Sequence, residues 1–474
     1  MDICGDIRDW AVKNNISHMA LSDLLKILYN VLPHKMPLDA RTLLKTNKVE
    51  ICITEIGTGH YWHNGLLSQL QKTLQKLHEL PNKISLNFNI DGLPIHKSSN
   101  HQLWPILCNI TEIKKLSPIV VGIYEGKSKP SDLNLYLNPF VKEMKQIGNS
   151  LRITTLTGEQ KTIEVTIRAF ICDSPARALI KGVANFNSKH GCLKCTVIGD
   201  YSHLSHTVIF PKIDCPKRND ADFRNKKCYG QHHKVDSPLL ELKIDMIENF
   251  PVGDSLHLID LGVMKRLLIG WRDGNFIHKR TKWCNSDIEK VNSFLVTMKL
   301  PKEIHRSVRA INVLAHWKAS EYRTFLLYLS LVILKQVLDS DAYKHFLCLF
   351  CAVTICYNET HFKFLRLAQE LLNSFIKNYS KFYGKDYITS NVHNLSHLVD
   401  EVKRFGTLQS FNAYPFENKL QIIKHMLRQG NKPLVQVARR LHERNEVEID
   451  TYSENKLKYP FLKQCNSKNG STLI

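Results

Sequence analysis

The sequence predicts an α/β protein in which a mixed sheet, laid down before residue 190, is followed by a large and mostly helical insertion and preceded by a helical segment. Three observations carry this. Residues 83–90 alternate polar and apolar, and 102–110, 118–124, 151–156 and 162–172 read as further strands. Between 190 and 395 the strand signal fades, and apolar residues recur at helical spacing in 264–271, 286–299, 321–338 and 362–379. Before residue 50, two short amphipathic stretches flank Asn14-Asn15-Ile16.

Taken in order, the first helix covers 6–13, and the second starts at a Ser17 cap and runs through Leu21, Leu24, Leu25 and Leu28. The pair could read DNA as a helix-turn-helix, though two helices at this spacing are more often plain packing. The strand at 83–90 delivers Asp91 at its end, where Gly92 and Pro94 force a turn. An amphipathic helix is expected over 133–147. A hairpin then turns at Gly158, and its second arm closes on Asp173, ahead of a helical stretch at 176–183. Beyond the insertion, Tyr414-Pro415-Phe416-Glu417 opens another helix, with Leu420, Ile423 and Leu427 on one side and Lys419, Lys424 and Arg428 around the remainder. No internal repeat or low-complexity tract interrupts the chain. The expected division is 1–50 helical, 51–190 sheet, 191–398 insertion, 399–445 completion of the core by the Glu417 helix, and 446–474 tail.

Lys and Arg total 65 against 44 Asp and Glu, a net charge of +21 over 474 residues. Such a surplus favours polyanionic partners through phosphate contacts and counterion release, nucleic acid foremost; a merely soluble basic protein is the bland alternative. The opening MDICGDIRDW places charges where a signal core would be apolar, and the uncharged stretch 325–334 is about half of what a bilayer requires. The expectation is a soluble intracellular protein without a membrane partner. Its 13 cysteines, irregularly spaced, are then thiols or metal ligands rather than a disulfide framework.

The chemistry lies in an ordered set: Asp91, Asp173, Cys192-x-x-Cys195, His393-x-x-x-His397 and Glu417. Three carboxylates, two from rigid strand ends and one from a helix across the sheet, can hold the two hard divalent cations that phosphodiester chemistry uses. Any one of them alone is also what an ordinary turn employs. Cys192 and Cys195 follow His190-Gly191, a tight turn that lets two thiolates face one ion, and His393 and His397 share a helix face, so the four supply a Cys2His2 zinc set. It would tie the far end of the insertion back to its start. Asp254 and His257, in a turn before a helix at 258–268, are either a helix cap or neighbours of the acids. Cys348 and Cys351 read as small core residues. Cys215, Cys228, His232 and His233 form a weaker candidate for a second metal site, with no tight turn to gather them. Lys419, Lys424, Arg428, Lys432, Arg439, Arg440 and Arg444 are by default a solvated basic face, yet beside an acid cluster they would suit a DNA backbone.

Three strings carry a family likeness: Asp91-Gly92-Leu93-Pro94-Ile95-His96-Lys97-Ser98-Ser99, Cys172-Asp173-Ser174-Pro175-Ala176-Arg177 and Tyr414-Pro415-Phe416-Glu417-Asn418. With the ordered acids, Cys-x-x-Cys, Asp-x-x-His and His-x-x-x-His, the chain resembles eukaryotic cut-and-paste transposases on the CACTA/EnSpm side of the CACTA–Mirage–Chapaev superfamily, as in transposon-derived animal proteins. The resemblance implies a ribonuclease-H-like DDE core interrupted by a helical domain. It implies Asp91, Asp173 and Glu417 as a catalytic triad binding magnesium or manganese, and Cys192, Cys195, His393 and His397 as ligands of structural zinc. It further implies nicking at element ends and attack of the freed 3′ hydroxyl on target DNA by a nuclear homo-oligomer that takes double-stranded DNA and no small-molecule substrate. Lys419, Lys424, Arg428, Arg439 and Arg440 would meet the DNA. Such transposases carry a separate amino-terminal DNA-binding module, whereas here helices lead almost directly into the core, so the expectation is a truncated or non-autonomous copy. The competing readings are a domesticated, inactive DNA-binding or chromatin protein of the same fold, and a zinc-stabilised scaffold serving RNA.

Overall fold

The computed structural model describes residues 2–447 except 33–35, 47–49, 78, 96–99, 114–115, 156–157, 305 and 429, together with 462–463 and 472–473. His96, Lys97, Ser98 and Ser99 of the first family-like string, and most of the 446–474 tail, lie outside the described residues.

The protein is mixed α/β around one curled, mixed sheet. Its strands are β1 (Ile53–Ile56), β2 (Gly59–His63), β3 (Lys83–Ile90), β4 (Leu93–Pro94), β5 (Gln102–Ile110), β6 (Ile119–Gly126), β7 (Ser150–Thr154) and β8 (Gln160–Phe170). They are ordered β1-β2-β6-β5-β3-β8-β7, with β4 paired to β5. All neighbours are antiparallel except β3 and β8, which run parallel. Parallel pairing sends both carboxyl ends to the same edge of the sheet. Phe88 lies opposite Phe170, and the Ile171 N–H donates to the Phe88 carbonyl at 2.7 Å. Asp91 and Asp173 both follow these strand ends at the same edge, and Asp173 raises Asp91.

β3 shows why period-two alternation matters here. Ile84, Leu86, Phe88 and Ile90 are buried on one face against a helix, Leu133–Ile147, whose Phe140 meets Phe88 edge-on at 4.8 Å. Ser85, Asn87, Asn89 and then Asp91 fall on the other face. Asn87 and Asn89 are buried, and their amides are used: Asn89 Nδ2 donates to the Ile171 carbonyl at 2.7 Å, while Asn87 Oδ1 accepts from the Arg168 guanidinium at 3.2 Å. That guanidinium also donates to the carbonyls of Ser410 and Phe405. It thereby fastens the loop ahead of Glu417 to the polar face of the strand that ends in Asp91.

The apolar core divides across the sheet. On β5, Trp104, Ile106 and Cys108 join the cluster that includes Leu66–Leu74 and Leu133–Ile147, whereas Leu103 and Leu107 join a larger cluster reaching from Trp62 to Leu441. The helical block thus shares its core with the sheet face that carries the acids. Its main helices are Lys265–Asp273, Asn285–Thr297, Ser330–Val337, Ser340–Tyr357 and Leu365–Tyr383, followed by Leu398–Phe405, Tyr414–Met426 and Pro433–Val447.

Several details depart from expectation. The β1–β2 hairpin and the helix Leu66–Leu74 had no counterpart in the sequence reading; β1 has one buried residue in four, so it shows no clean alternation. A small hairpin, Asp200–Ser202 with Thr207–Ile209, interrupts the stretch expected to be helical. Cys348 and Cys351 are not core residues: Cys348 is half-buried and Cys351 exposed, and it is Cys356 that the helix Ser340–Tyr357 buries.

At the amino terminus, Ile3–Lys13 and His18–Val31 form the expected pair, with Ser17 Oγ capping the second helix through the Ala20 N–H at 3.1 Å. With Ala40–Leu43 they bury a core of their own. This unit docks on Pro433–Val447 through Glu443, 2% exposed, which accepts from Thr46 Oγ1 and lies 3.2 Å from His18 Nε2. The outer side of His18–Val31 shows Met19, Ile27 and Val31, and its one lysine, Lys26, stands 3.6 Å from Asp23. The pair thus packs on the helix Pro433–Val447.

Candidate functional site

Cys192, Cys195, His393 and His397 converge from both ends of the insertion into one buried group whose ligand atoms all lie within 4.8 Å of one another. Gly191 makes the turn into the cysteine pair possible, since a Cβ there would stand 2.5 Å from the Asn185 carbonyl oxygen. The Cys195 N–H then points back at Cys192 Sγ, 3.4 Å away. His393 and His397 do not share a regular helix as expected: a tightened turn, Leu395–His397, separates Ser390–Asn394 from Leu398–Phe405. Both rings still reach the thiols. Cys195 Sγ lies 3.3 Å from His393 Nε2, Cys192 Sγ 3.5 Å from His397 Nε2, and the two sulfurs are 3.5 Å apart. A zinc tetrahedron with about 2.3 Å arms to sulfur and about 2.0 Å arms to nitrogen has edges of roughly 3.3–3.8 Å. The residues fit the ion.

Their protonation points the same way. Burial raises the Cys192 thiol, but bonds from Cys195, His393 and His397 outweigh it and hold Cys192 well below the usual thiol range. Cys195 is pushed far upward, first by its bond to Cys192 and then by burial. Two adjacent buried thiolates repel, and a divalent cation removes that conflict. This is a buried Cys2His2 group able to bind a metal such as zinc.

The second constellation is acidic. Asp91 is pushed well above the ordinary carboxylate range, first by burial and then by Asp173, with Glu417 adding to it; His257 and the Gly92 N–H pull the other way. Asp173 and Glu417, from two other distant stretches of chain, therefore both act on Asp91. Asp91 Oδ1 accepts from the Gly92 N–H at 2.7 Å. Asp173 caps Ser174–Lys181 through the Ala176 N–H at 2.8 Å. Glu417 lies in the first turn of Tyr414–Met426, whose Tyr414 hydroxyl donates to buried Asp260 at 2.7 Å.

Asp254 and His257 serve both expected purposes. Asp254, fully buried, caps the wide helical turn Ser255–Met264, which begins earlier than the sequence indicated. Its Oδ2 also meets His257 Nδ1 at 2.6 Å, and its Oδ1 accepts from the Ala413 N–H at 2.7 Å. Burial would raise Asp254, yet the His257 charge and these bonds hold it below the usual range. Burial would lower His257, but Asp254, and behind it Asp91 and Asp173, raise it instead. The acids thus favour the charged form of His257.

Other expectations sort plainly. Cys215, Cys228, His232 and His233 do not gather: Cys215 packs against the Cys192–Cys195 group, while Cys228 and both histidines line a separate small cavity of about 40 Å³. Among the described residues, only the Cys2His2 set meets the spacing a metal needs. Lys419 is 7% exposed and donates to Ser117 Oγ at 3.2 Å, so it does not belong to the basic surface. Arg440 is committed to Glu443 at 2.9 Å. Arg428, Lys432 and Arg439 are exposed and Lys424 half-exposed. Among the described residues no helix is long and apolar enough to cross a membrane. Compared with protein-family models and with curated proteins, the chain matches none.

Proposed function

We propose that this chain is a DDE-type transposase, a metal-dependent nuclease and strand transferase acting on double-stranded DNA through a ribonuclease-H-like core. The observation that carries the reading is that Asp173 and Glu417, from distant stretches of chain, both raise Asp91 at one partly buried site. Fold maintenance gives no reason to gather like charges there, since each raises the cost of ionising the next. Two come from neighbouring strand ends, the most rigid platform the sheet offers. Glu417 arrives on a helix pinned to the same face by Arg168 and Asp254.

In this reading Asp91, Asp173 and Glu417, spaced more widely than the ligands of a single ion, would hold two magnesium or manganese ions between them. Such ions, when bound, activate the attacking oxygen and stabilise the leaving oxygen of a phosphodiester. Asp254 keeps His257 oriented beside the acids and favours its protonated form, which would face a scissile phosphate. The Cys2His2 group holds zinc and closes the insertion onto the sheet. Net charge of +21, with Lys424, Arg428, Lys432 and Arg439 beside the Glu417 helix, supports a duplex backbone as the partner. The test is incubation with plasmid and with duplex oligonucleotides bearing a free 3′ end, with and without Mg²⁺ or Mn²⁺. Nicked or joined products that require the ion support the reading, and their absence alongside tight DNA binding favours an inactive, domesticated protein.

A further inference from the structure

We infer that Lys194 and Glu401 are positioning residues through which the Cys2His2 group sets the geometry of the acid cluster. The inference rests on the reading above only for the cluster's role, since the linkage itself is a matter of buried contacts. Lys194 lies between the two cysteines, where a lysine ordinarily reaches solvent. Here it is 6% exposed, donates to the Ile247 carbonyl at 2.8 Å and lies 3.2 Å from Glu401 Oε1. Glu401 stands one helical turn beyond His397 and is 2% exposed.

The carboxylate of Glu401 does more than pair. Oε1 accepts from the Val252 N–H at 2.8 Å and Oε2 from the Gly253 N–H at 2.6 Å. Gly253 permits this approach, because a Cβ there would stand 2.7 Å from Oε2 and 2.6 Å from Leu398 Cδ1. The next residue is Asp254, which holds His257 on one oxygen and the Ala413 N–H on the other. The Ala413 carbonyl in turn accepts the Glu417 N–H at 3.0 Å. A run of largely buried contacts, an ion pair and hydrogen bonds joined by short backbone steps, therefore leads from the cysteine pair to both His257 and Glu417.

Stability alone does not explain a buried ion pair here. Apolar residues of similar volume commonly hold two elements together as well. What they would lack is a pair of acceptor oxygens for two consecutive backbone N–H groups, the feature that fixes the strand of chain entering Asp254. Loosening either end should let Asp254 shift and carry His257 and the start of the Glu417 helix with it.

The experiment uses the full chain, zinc-loaded, with Glu401→Gln and with the double variant Lys194→Met/Glu401→Gln, which removes charge from both ends and guards against unfolding. Two properties are measured: amide hydrogen exchange, and Mn²⁺ affinity by electron paramagnetic resonance. With zinc content unchanged and the Ile106 amide still protected, the inference expects faster exchange at both Gly253 and Ala413. It expects Mn²⁺ affinity to fall by roughly five- to a hundredfold, the usual span of coupling between sites. Faster exchange at Gly253 alone, with Ala413 and Mn²⁺ affinity unmoved in both variants, would reduce Glu401 to a local cap and overturn the inference. Failure of the wild type to bind Mn²⁺ would instead defeat the catalytic reading, while the Ala413 amide would still decide the linkage.

Discussion

Cys195 Sγ lies 3.3 Å from His393 Nε2, across 198 positions of chain. This contact holds the start of the insertion to its end. Purified chain is expected to carry about one zinc per molecule, measured by elemental analysis. Cys192→Ser should lose the metal, the penalty exceeding the roughly 10–100-fold in affinity typical of changes outside the ligands themselves. Chelation should lower the melting temperature and broaden the transition.

Replacement of Asp91 separates the needs of folding from those of chemistry. Asp91→Asn removes a buried charge that Asp173 and Glu417 oppose. Without divalent ions at pH 8, this variant should be more stable than wild type by about 1–3 kcal/mol, each unit of pKa displacement being worth about 1.4 kcal/mol. Its Mn²⁺ binding and any ion-dependent cleavage should be lost. Calorimetry and a nuclease assay together check both halves, and a destabilised variant would speak against a repelling site.

The pH dependence follows from the direction of the same shift. Asp91 keeps its proton to higher pH in the folded chain than in the unfolded one, where a carboxyl releases it near pH 4. Above that point the folded state binds more protons than the unfolded, so this contribution to stability declines as pH rises and is gone once Asp91 ionises. His257, raised as well, acts with the same sign. Thermal denaturation without divalent ions should therefore show stability falling on this account from about pH 4 upward. Mg²⁺ should stabilise little at pH 5 and progressively more toward pH 8, because ion and proton compete for the acids.

Asp260 tests how the Glu417 helix is held. Burial drives its carboxyl well above the ordinary range, more strongly than the Tyr414 hydroxyl and the Arg323 charge lower it. Burial therefore favours the neutral form of Asp260, and Asp260→Asn, similar in shape, should cost less than about 1 kcal/mol. Tyr414→Phe removes the donor to Asp260 Oδ2 and should cost about 1–3 kcal/mol by leaving a buried acceptor without its partner. Urea denaturation of the two variants distinguishes these outcomes.

The parts of this molecule that were legible in the sequence are those in which local pattern and tertiary role coincide. Alternation over 83–90 both makes β3 and aims Asp91, and the Cys-x-x-Cys spacing is itself the geometry of a metal site. β1 escaped notice because an edge strand with three of its four residues outside the core carries no periodicity. Lys194 and Glu401 look like solvated charges in any local window, and only the fold makes them partners. Lys419 misled for the opposite reason. It occupies a position on an amphipathic helix that a second layer happens to cover.

The most direct measurement compares wild type with Asp173→Asn on duplex DNA in Mg²⁺ or Mn²⁺, following strand nicking and joining while monitoring binding. Asp173 approaches the acids from the end of β8, and its loss should leave DNA affinity and zinc content in place while abolishing ion-dependent cleavage by at least a hundredfold, or about 3 kcal/mol in barrier. Equal cleavage by both proteins, or equal inertness with full DNA binding, would contradict a catalytic role for the acid cluster.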